Sequence, residues 1–435
     1  DTEVVLKAYI KWGPSIFSKF EGMFAFAIWD NRKKIMHLVR DRFGIKPLYY
    51  YKFKSGMIFS SEIKSILASQ IIQKKMSHPS LHEYMWYGNM TGNNTMYEGI
   101  FKVPPGNILT VNNSKIGLNE YFSFEKIEDN QDEISLATET VLKKLDSAVK
   151  KHLISDVPVG VFLSGGIDSS AITAIASKYY NGKLKTFSAG FDFDNGVNEL
   201  SKARKIANLF NSDHHELNIS GINLSDTIEN LVEIHDEPFA DAANIPLYLL
   251  CKQLGNSIKV ILQGDGGDEI FAGYRRYNIL FYRKLWRYIS NVGLPFIKSM
   301  PDGPSSQRYS RFFFANRQKN FSMQMALLLT QNSPLDNPTD ILNKDLQLSV
   351  LKYDPFNIYK YWHSVFKEFD YVKQMLFTDC KIQLPNTFLE KVDKPTMANS
   401  IEIRVPFLDN TLTDYVLGLP SSYKVRNGNK KRILK

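Results

Sequence analysis

Cysteine is scarce in this 435-residue chain. Only Cys251 and Cys380 occur, far apart, so a disulfide framework is excluded and a reducing, cytoplasmic compartment is expected. No apolar run approaches the roughly 18 residues needed to cross a bilayer, which argues against a membrane-spanning protein. Zinc-finger spacing and an aromatic RNA-binding signature are both missing. Lys and Arg are scattered, the densest cluster being Asn427–Arg432. The formal charge of +9 therefore points to a basic surface serving anionic small molecules rather than nucleic acid. There is no internal repeat. An initiator Met is also lacking: the chain opens at Asp1 into a helical pattern over Glu3–Ile10 and reads as beginning inside a domain. What remains, 43% hydrophobic, 23% charged and 13% aromatic residues, is the composition of a globular protein with two or three domains.

The first part of the chain alternates as strands do. Met23–Trp29, a turn at Asp30-Asn31 and Ile35–Val39 predict one hairpin; Pro47–Tyr51, Ser55-Gly56 and Met57–Phe59 predict another. The β-rich character runs to about Tyr121, and Glu125–Glu133 is acidic and aperiodic, as a linker would be. Beyond about Ser135 short apolar strands alternate with helices: strand 157–163, helix 169–180 stopped by Asn181-Gly182, strand 184–189, helix 199–210, strand 214–219 and strand 258–262. That alternation predicts parallel βαβ units in a doubly wound sheet. From about Arg275 the pattern is mainly helical, with a Pro/Ser-rich loop near residues 301–306.

Two loops carry the chemistry. Ser164-Gly165-Gly166-Ile167-Asp168-Ser169-Ser170 joins a buried strand to a helix. Its glycines allow a tight turn that points N–H groups outward, and the helix start adds unsatisfied donors and the positive dipole end, so the loop can cradle phosphate. It has neither the Lys-Ser/Thr of a P-loop nor a GxGxxG. Asp168 inside an anion cradle would repel phosphate unless a hard cation lay between, which implies Mg²⁺. Gln263-Gly264-Asp265-Gly266-Gly267-Asp268-Glu269 follows the strand 258–262, where functional loops of open α/β sheets sit, and lacks the alternation of a calcium loop. If the two strands are neighbours, Asp168 and Asp268 face one cleft and can hold Mg²⁺ together. His214-His215 resembles a zinc pair, but adjacent strand residues point to opposite faces, so a solvated edge is expected. The aromatic run Tyr277–Tyr288 is read as helical packing with a basic face rather than base stacking.

The SGGxDS loop followed about 100 residues later by GDGGDE resembles the ATP-pyrophosphatase loops of the glutamine-dependent asparagine synthetase family. Asp236–Asp241 (DEPFAD), Asp393–Ala398 and Glu402–Asp409 look like further segments of it, and Glu21–Asp30, Arg40–Tyr50 and Ser60–Lys64 resemble its glutaminase domain. The resemblance covers nearly the whole chain. It implies a partial N-terminal-nucleophile αββα glutaminase sandwich at 1–124, a linker at 125–135, and at 136–435 a doubly wound, five-stranded parallel-sheet ATP-pyrophosphatase domain of adenine nucleotide alpha hydrolase type with a helical C-terminal part. It further implies ATP-dependent amidation of aspartate through an acyl-adenylate, with ammonia from glutamine.

Carried over by position, Ser164, Gly165, Gly166, Asp168, Ser169 and Ser170 would hold pyrophosphate, Mg²⁺ would sit on Asp168 and Asp268, and Phe162, Ala189, Gln263 and Gly264 would line the adenosine. Asp265 matches a proposed general base, useful because nitrogen that has attacked an acyl carbon must lose a proton. Lys431 matches a lysine that stabilises charge at phosphorus or at the tetrahedral intermediate, with Lys430 as the alternative. Asp1 matches the residue that binds the glutamine α-amine. Two departures from the family pattern stand out. The N-terminal cysteine nucleophile with its Arg and Asn-Gly-Glu segment is not in this sequence, so glutaminase activity is not expected of it, and the family usually continues beyond Lys435. Another carboxylate as acceptor, as in relatives of the β-lactam synthetase kind, and a non-catalytic ATP-binding protein are the alternatives. The resemblance is compatible with a homodimer.

Overall fold

In the computed structural model, all residues are described except 55, 113–114, 192–198, 221, 256, 298–302 and 332–335. The chain forms two compact units, neither contiguous in sequence. One comprises Asp1–Lys126, Asp236–Phe239 and Tyr282–Thr387; the other comprises Ile127–His235, Ala240–Phe281 and Phe388–Lys435.

The first unit contains α1 (Thr2–Trp12), β1 (Ala25–Asp30), β2 (Ile35–Arg40), β3 (Tyr49–Phe53), β4 (Gly56–Ser60), β5 (Ile100–Lys102), β6 (Asn107–Asn112) and β7 (Lys115–Glu120). Both predicted hairpins form, as β1–β2 and β3–β4. The sheets are β1-β2-β6-β7 and β4-β3-β5. Period-two alternation gives each sheet two apolar faces. Leu38, Leu48, Val103 and Leu109 pack with Met36, Tyr50 and Met57 between the sheets. Ala8 and Tyr9 of α1 cover Ile28 and Val39 on one outer side, and Ile63 and Ile66 of a short helix cover Tyr49 and Ile100 on the other. These layers make the αββα sandwich. Residues 301 and 302 of the predicted loop lie outside the described residues; Pro304 onward is helical, through Arg317, because Pro is well tolerated in a first turn.

The second unit is built on β8 (Val159–Phe162), β9 (Lys185–Phe191), β10 (Asp213–Ile219), β11 (Val260–Leu262) and β12 (Glu402–Arg404). All four pairings are parallel, in the order β10-β9-β8-β11-β12. The helices that matter below are α2 (Ile134–His152), α3 (Ile167–Tyr179), α4 (Glu199–Leu209), α5 (Asn244–Leu254), α6 (Gly267–Phe271), α7 (Leu389–Met397) and α8 (Asn410–Gly418). From β8 the chain winds toward β9 and β10, then returns to add β11 on the other side. The strand order therefore reverses between β8 and β11, where a crevice opens at the strands' carboxyl ends. β8 and β11 are buried throughout, as their unbroken apolar runs require of a sheet covered on both faces.

Candidate active site

Both sequence-predicted loops leave the sheet at this reversal. Val159, Gly160 and Val161 lie beside Val260, Ile261 and Leu262, so the Ser164 loop and the Gly264 loop emerge next to each other. They border a cleft of about 350 Å³ whose wall includes Phe162, Ser164, Gly166, Asp168, Ser169, Ala189, Gln263, Gly264, Asp265 and Asp268. Gly165 and Ser170 belong to the same loop but are not part of that wall. Asp1 lies in the first unit, exposed, at the start of α1, where its carbonyl accepts Val5 N–H at 3.1 Å.

The Ser164 loop is laced by its own hydroxyls. Ser164 Oγ is 3.1 Å from Ser169 Oγ and accepts Gly166 N–H at 3.3 Å, while Ser169 Oγ accepts Ser164 N–H at 3.3 Å. Gly165 takes φ 74°, and a Cβ there would lie 2.6 Å from Lys202 Cβ and 2.9 Å from Ala203 N on α4. Only glycine fits, since both the left-handed backbone and the space forbid a side chain. α3 then starts at Gly166 with no side-chain cap, leaving its first N–H groups available to an anion.

Asp168, in the first turn of α3, and Asp268, in the first turn of α6, meet on one ammonium. Lys431 Nζ pairs with Asp168 Oδ2 and with Asp268 Oδ1, the latter at 2.7 Å. Glycines make the convergence possible: a Cβ on Gly264 or Gly267 would come within 2.9 Å of Asp168, and one on Gly273 within 1.7 Å of Asp268 Oδ1. Burial raises Asp168 to about 6 despite the opposing charge of Lys431. Burial also works against the Lys431 ammonium, but the two carboxylates outweigh it and raise its pKa. Asp265 is likewise pushed up by burial, with Lys391 opposing.

Among the described residues no group of three or more His, Cys, Asp or Glu could hold a metal. His214 and His215 diverge accordingly: His214 Nδ1 meets Thr186 Oγ1 at 2.9 Å, and His215 Nε2 meets Asp213 at 3.1 Å. Two carboxylates nonetheless suit Mg²⁺, which takes one or two from protein and completes its shell with phosphate and water. Asp168 Oδ1 is buried with no hydrogen-bond partner. An acceptor left in that state is costly unless a cation or donor reaches it, so the pair fits such an ion.

Two groups that the sequence reading gave no role also line the cleft. Glu269, 2% exposed, and Tyr274 both line the cleft, and Tyr274 Oη donates to Glu269 Oε1 at 2.5 Å. Their five-residue spacing across α6 is the signal available in the sequence.

The asparagine synthase family model matches residues 140–435, about two thirds of the chain. The chain belongs to the asparagine synthase family. The glutamine amidotransferase domain model matches residues 1–122. A Bacillus subtilis protein, asparagine synthetase [glutamine-hydrolyzing] 1, is 31% identical across the full chain and 68% of its own length. A putative asparagine synthetase [glutamine-hydrolyzing] 2 of Methanocaldococcus jannaschii is 35% identical over 67% of this chain and 58% of its own length. The amidase chyE of Penicillium rubens is 29% identical over 98% of this chain and 67% of its own. The chain thus spans about two thirds of the length of such relatives. Family membership makes it an asparagine-synthetase-type enzyme in which ATP is the fitting nucleotide.

Proposed function

We propose that this protein joins ammonia to the side-chain carboxylate of L-aspartate at the expense of ATP, giving L-asparagine, AMP and pyrophosphate. The observation that carries the reading is the meeting of Asp168 and Asp268 on Lys431 at the reversal of the parallel sheet. A carboxylate oxygen of aspartate attacks the α-phosphorus, and the bond to pyrophosphate breaks. Ammonia then attacks the acyl carbon, and the carbon–oxygen bond to AMP breaks. Such phosphoryl chemistry is chiefly positioning and charge stabilisation. The Ser164 loop and the start of α3 bind the leaving pyrophosphate through N–H and hydroxyl groups, aided by Ser170. Phe162, Ala189, Gln263 and Gly264 line the adenosine. Asp168 and Asp268 would hold Mg²⁺, which would neutralise charge on the phosphates. Lys431 donates to the developing negative charge, in the manner of a preorganised oxyanion donor. Asp265 takes the proton that the attacking nitrogen must lose.

In the same reading residues 1–124 form the glutaminase part, 125–135 a linker and 136–435 the synthetase part. In the full-length protein the ammonia would come from glutamine, whose α-amine Asp1 would bind. The compartment is the cytoplasm: Cys251 is buried and pushed up to about 12, and Cys380 is buried and forms no disulfide, as structural thiols are in a reducing environment. Among the described residues no helix is long and apolar enough to cross a membrane. Pyrophosphate release, measured with ATP, Mg²⁺, ammonia and a panel of acids, tests the reading. Release with aspartate supports it; release only with another acid moves the substrate, and release with none overturns it.

A further inference from the structure

The excess positive charge of the chain is not gathered at the cleft, whose described lining includes no Lys, Arg or His. It is concentrated on a stretch of the first unit. Residues 283–319 hold eight Lys or Arg and a single acidic residue, Asp302, so seven of the nine net charges lie there. The stretch carries a hairpin of two helices, Arg283–Ile297 and Pro304–Arg317. One side of the first helix packs inward. Arg283 Nε donates to Gln324 Oε1 at 2.6 Å, Trp286 meets Phe312 edge-on at 5.3 Å, and a Cβ on Gly293 would come 2.4 Å from Phe313. The outer side is apolar as well. Leu285, Tyr288 and Val292 are each more than half exposed, and their spacing of three and four places them in one stripe. Lys284 and Asn291 run along one edge of it, and Arg317 Nε donates to Asn291 Oδ1 at 3.1 Å. Among the described residues none of Lys284, Arg287 and Arg317 pairs with a carboxylate, whereas surface lysines elsewhere do, as Lys7 with Glu3 and Lys143 with Glu139. A surface helix in water ordinarily turns polar residues outward; this one turns out an apolar stripe edged by unneutralised cations.

We propose that this hairpin is a membrane-surface site: Leu285, Tyr288 and Val292 enter the headgroup boundary of an anionic bilayer, while Lys284, Arg287 and Arg317 meet the lipid phosphates. A helix of this kind lies in the interface without crossing it, so no long apolar run is needed. Tyr suits the headgroup level, with its apolar ring and polar tip. Lys and Arg reach phosphate over their own apolar stems. Charge complementarity selects the occupant. Nucleic acid would satisfy the cations but leave Leu285 and Val292 uncovered. A second copy of the chain would set one excess of positive charge against another. A bilayer with anionic lipid answers both features, and the cytoplasmic leaflet is the negatively charged surface of the compartment proposed above. The hairpin thereby holds the protein at a membrane face without taking part in its chemistry.

The inference stands apart from the ligase reading and is tested without turnover. The whole chain is floated with vesicles of equimolar phosphatidylglycerol and phosphatidylcholine, and with vesicles of phosphatidylcholine alone. Binding to the anionic vesicles, and little to the neutral ones, is expected. Leu285→Ser combined with Val292→Ser should lower the partition coefficient about 10-fold or more, by removing the apolar part of the contact. Lys284→Gln combined with Arg317→Gln should lower it about 20-fold, near fivefold for each charge at an anionic surface. Lys33→Gln, at an exposed cation elsewhere in the same unit, should leave it unchanged. The replaced side chains are exposed, and thermal melts check that each variant folds as wild type does. Failure of wild type to float with the anionic vesicles overturns the inference. So does binding that survives the Leu285 and Val292 replacements, which would be adsorption by charge alone, or a loss with Lys33→Gln as large as with the hairpin cations. Tighter binding to duplex DNA or to polyglutamate than to the vesicles, or self-association in sedimentation that the apolar pair abolishes, would assign the face to another partner and overturn it as well.

Discussion

Replacing Lys431 by Met leaves two carboxylates facing each other with their shared cation gone. Lys431 is 8% exposed, and at about 3 Å each of its pairs gains about 5 kcal/mol of Coulomb energy at an effective dielectric near 20. Most of that is offset by the cost of desolvating the three charges. The Asp268 side chain is about a third exposed, so its half of the bridge is further discounted for screening. A net loss of about 3 kcal/mol follows, or a fall of about 6–10 °C in melting temperature for a unit of this size. The assay is a thermal melt of wild type and Lys431→Met, each in EDTA and in saturating Mg²⁺ with ATP. In EDTA the variant should melt well below wild type. Added Mg²⁺–ATP should raise the variant's melting temperature by more than it raises wild type's, because the ion then supplies the missing positive charge. Turnover should fall about 10²- to 10³-fold even at saturation, as expected for loss of one preorganised donor to developing charge. A variant as stable as wild type in EDTA, or one gaining no more from Mg²⁺–ATP, would refute the reasoning.

Three further outcomes are expected. Gly165→Ala should weaken Mg²⁺–ATP binding at least about 10-fold by equilibrium titration, since its Cβ meets the backbone of α4 and its left-handed φ costs a further ~1–2 kcal/mol. Asp265→Asn should lower amide formation about 10²-fold yet leave aspartate-dependent ATP–pyrophosphate exchange largely intact, because the base acts after pyrophosphate has left. Asp409→Ala removes the cap of α8, which accepts Thr411 and Leu412 N–H at 2.9 and 3.3 Å, together with a 3.1 Å ion pair to Lys151; it should cost about 1–2 kcal/mol by urea unfolding at neutral pH. Burial pushes Asp409 up, but hydrogen bonds from Thr411 and Lys151 outweigh it and leave the carboxyl below its usual value. Its contribution is therefore present above the ordinary carboxylate range, and the gap between wild type and variant should close as pH falls through the depressed value.

Much of the nucleotide-binding sheet is legible in the chain because β8 and β11 are unbroken apolar runs, each ending in a glycine-rich loop. β12 is not: Glu402-Ile403-Arg404 carries a single apolar residue and reads as no strand. It joins the sheet through backbone groups, Glu402 N–H to Lys259 O at 2.8 Å and Gln263 N–H to Arg404 O at 2.9 Å, which leave no trace in side-chain pattern. Helix starts and strand ends move by one to three residues, as α3 does in beginning at Ile167, because end residues are set by caps and turns rather than by periodicity. At the site, Asp168 and Asp268 were legible from glycine context. That Lys431 would bridge them was not, since 263 residues separate it from Asp168 and only tertiary folding brings such groups together. Nor does sequence spacing reveal that Asp236–Phe239 packs with the first unit, where Asp236 accepts Ile63 N–H at 2.8 Å and Glu237 accepts Met96 N–H at 2.9 Å.

The shared use of Asp168 and Asp268 for one metal–nucleotide complex is tested most directly by a double-mutant cycle on the dissociation constant of Mg²⁺–ATP, using Asp168→Asn, Asp268→Asn and the double variant. Carboxylates serving one ion should show strong coupling, with the double variant losing less than the sum of the single losses by about 1 kcal/mol or more. Losses that add to within about 0.5 kcal/mol would mean that the two residues act independently, and would contradict the account.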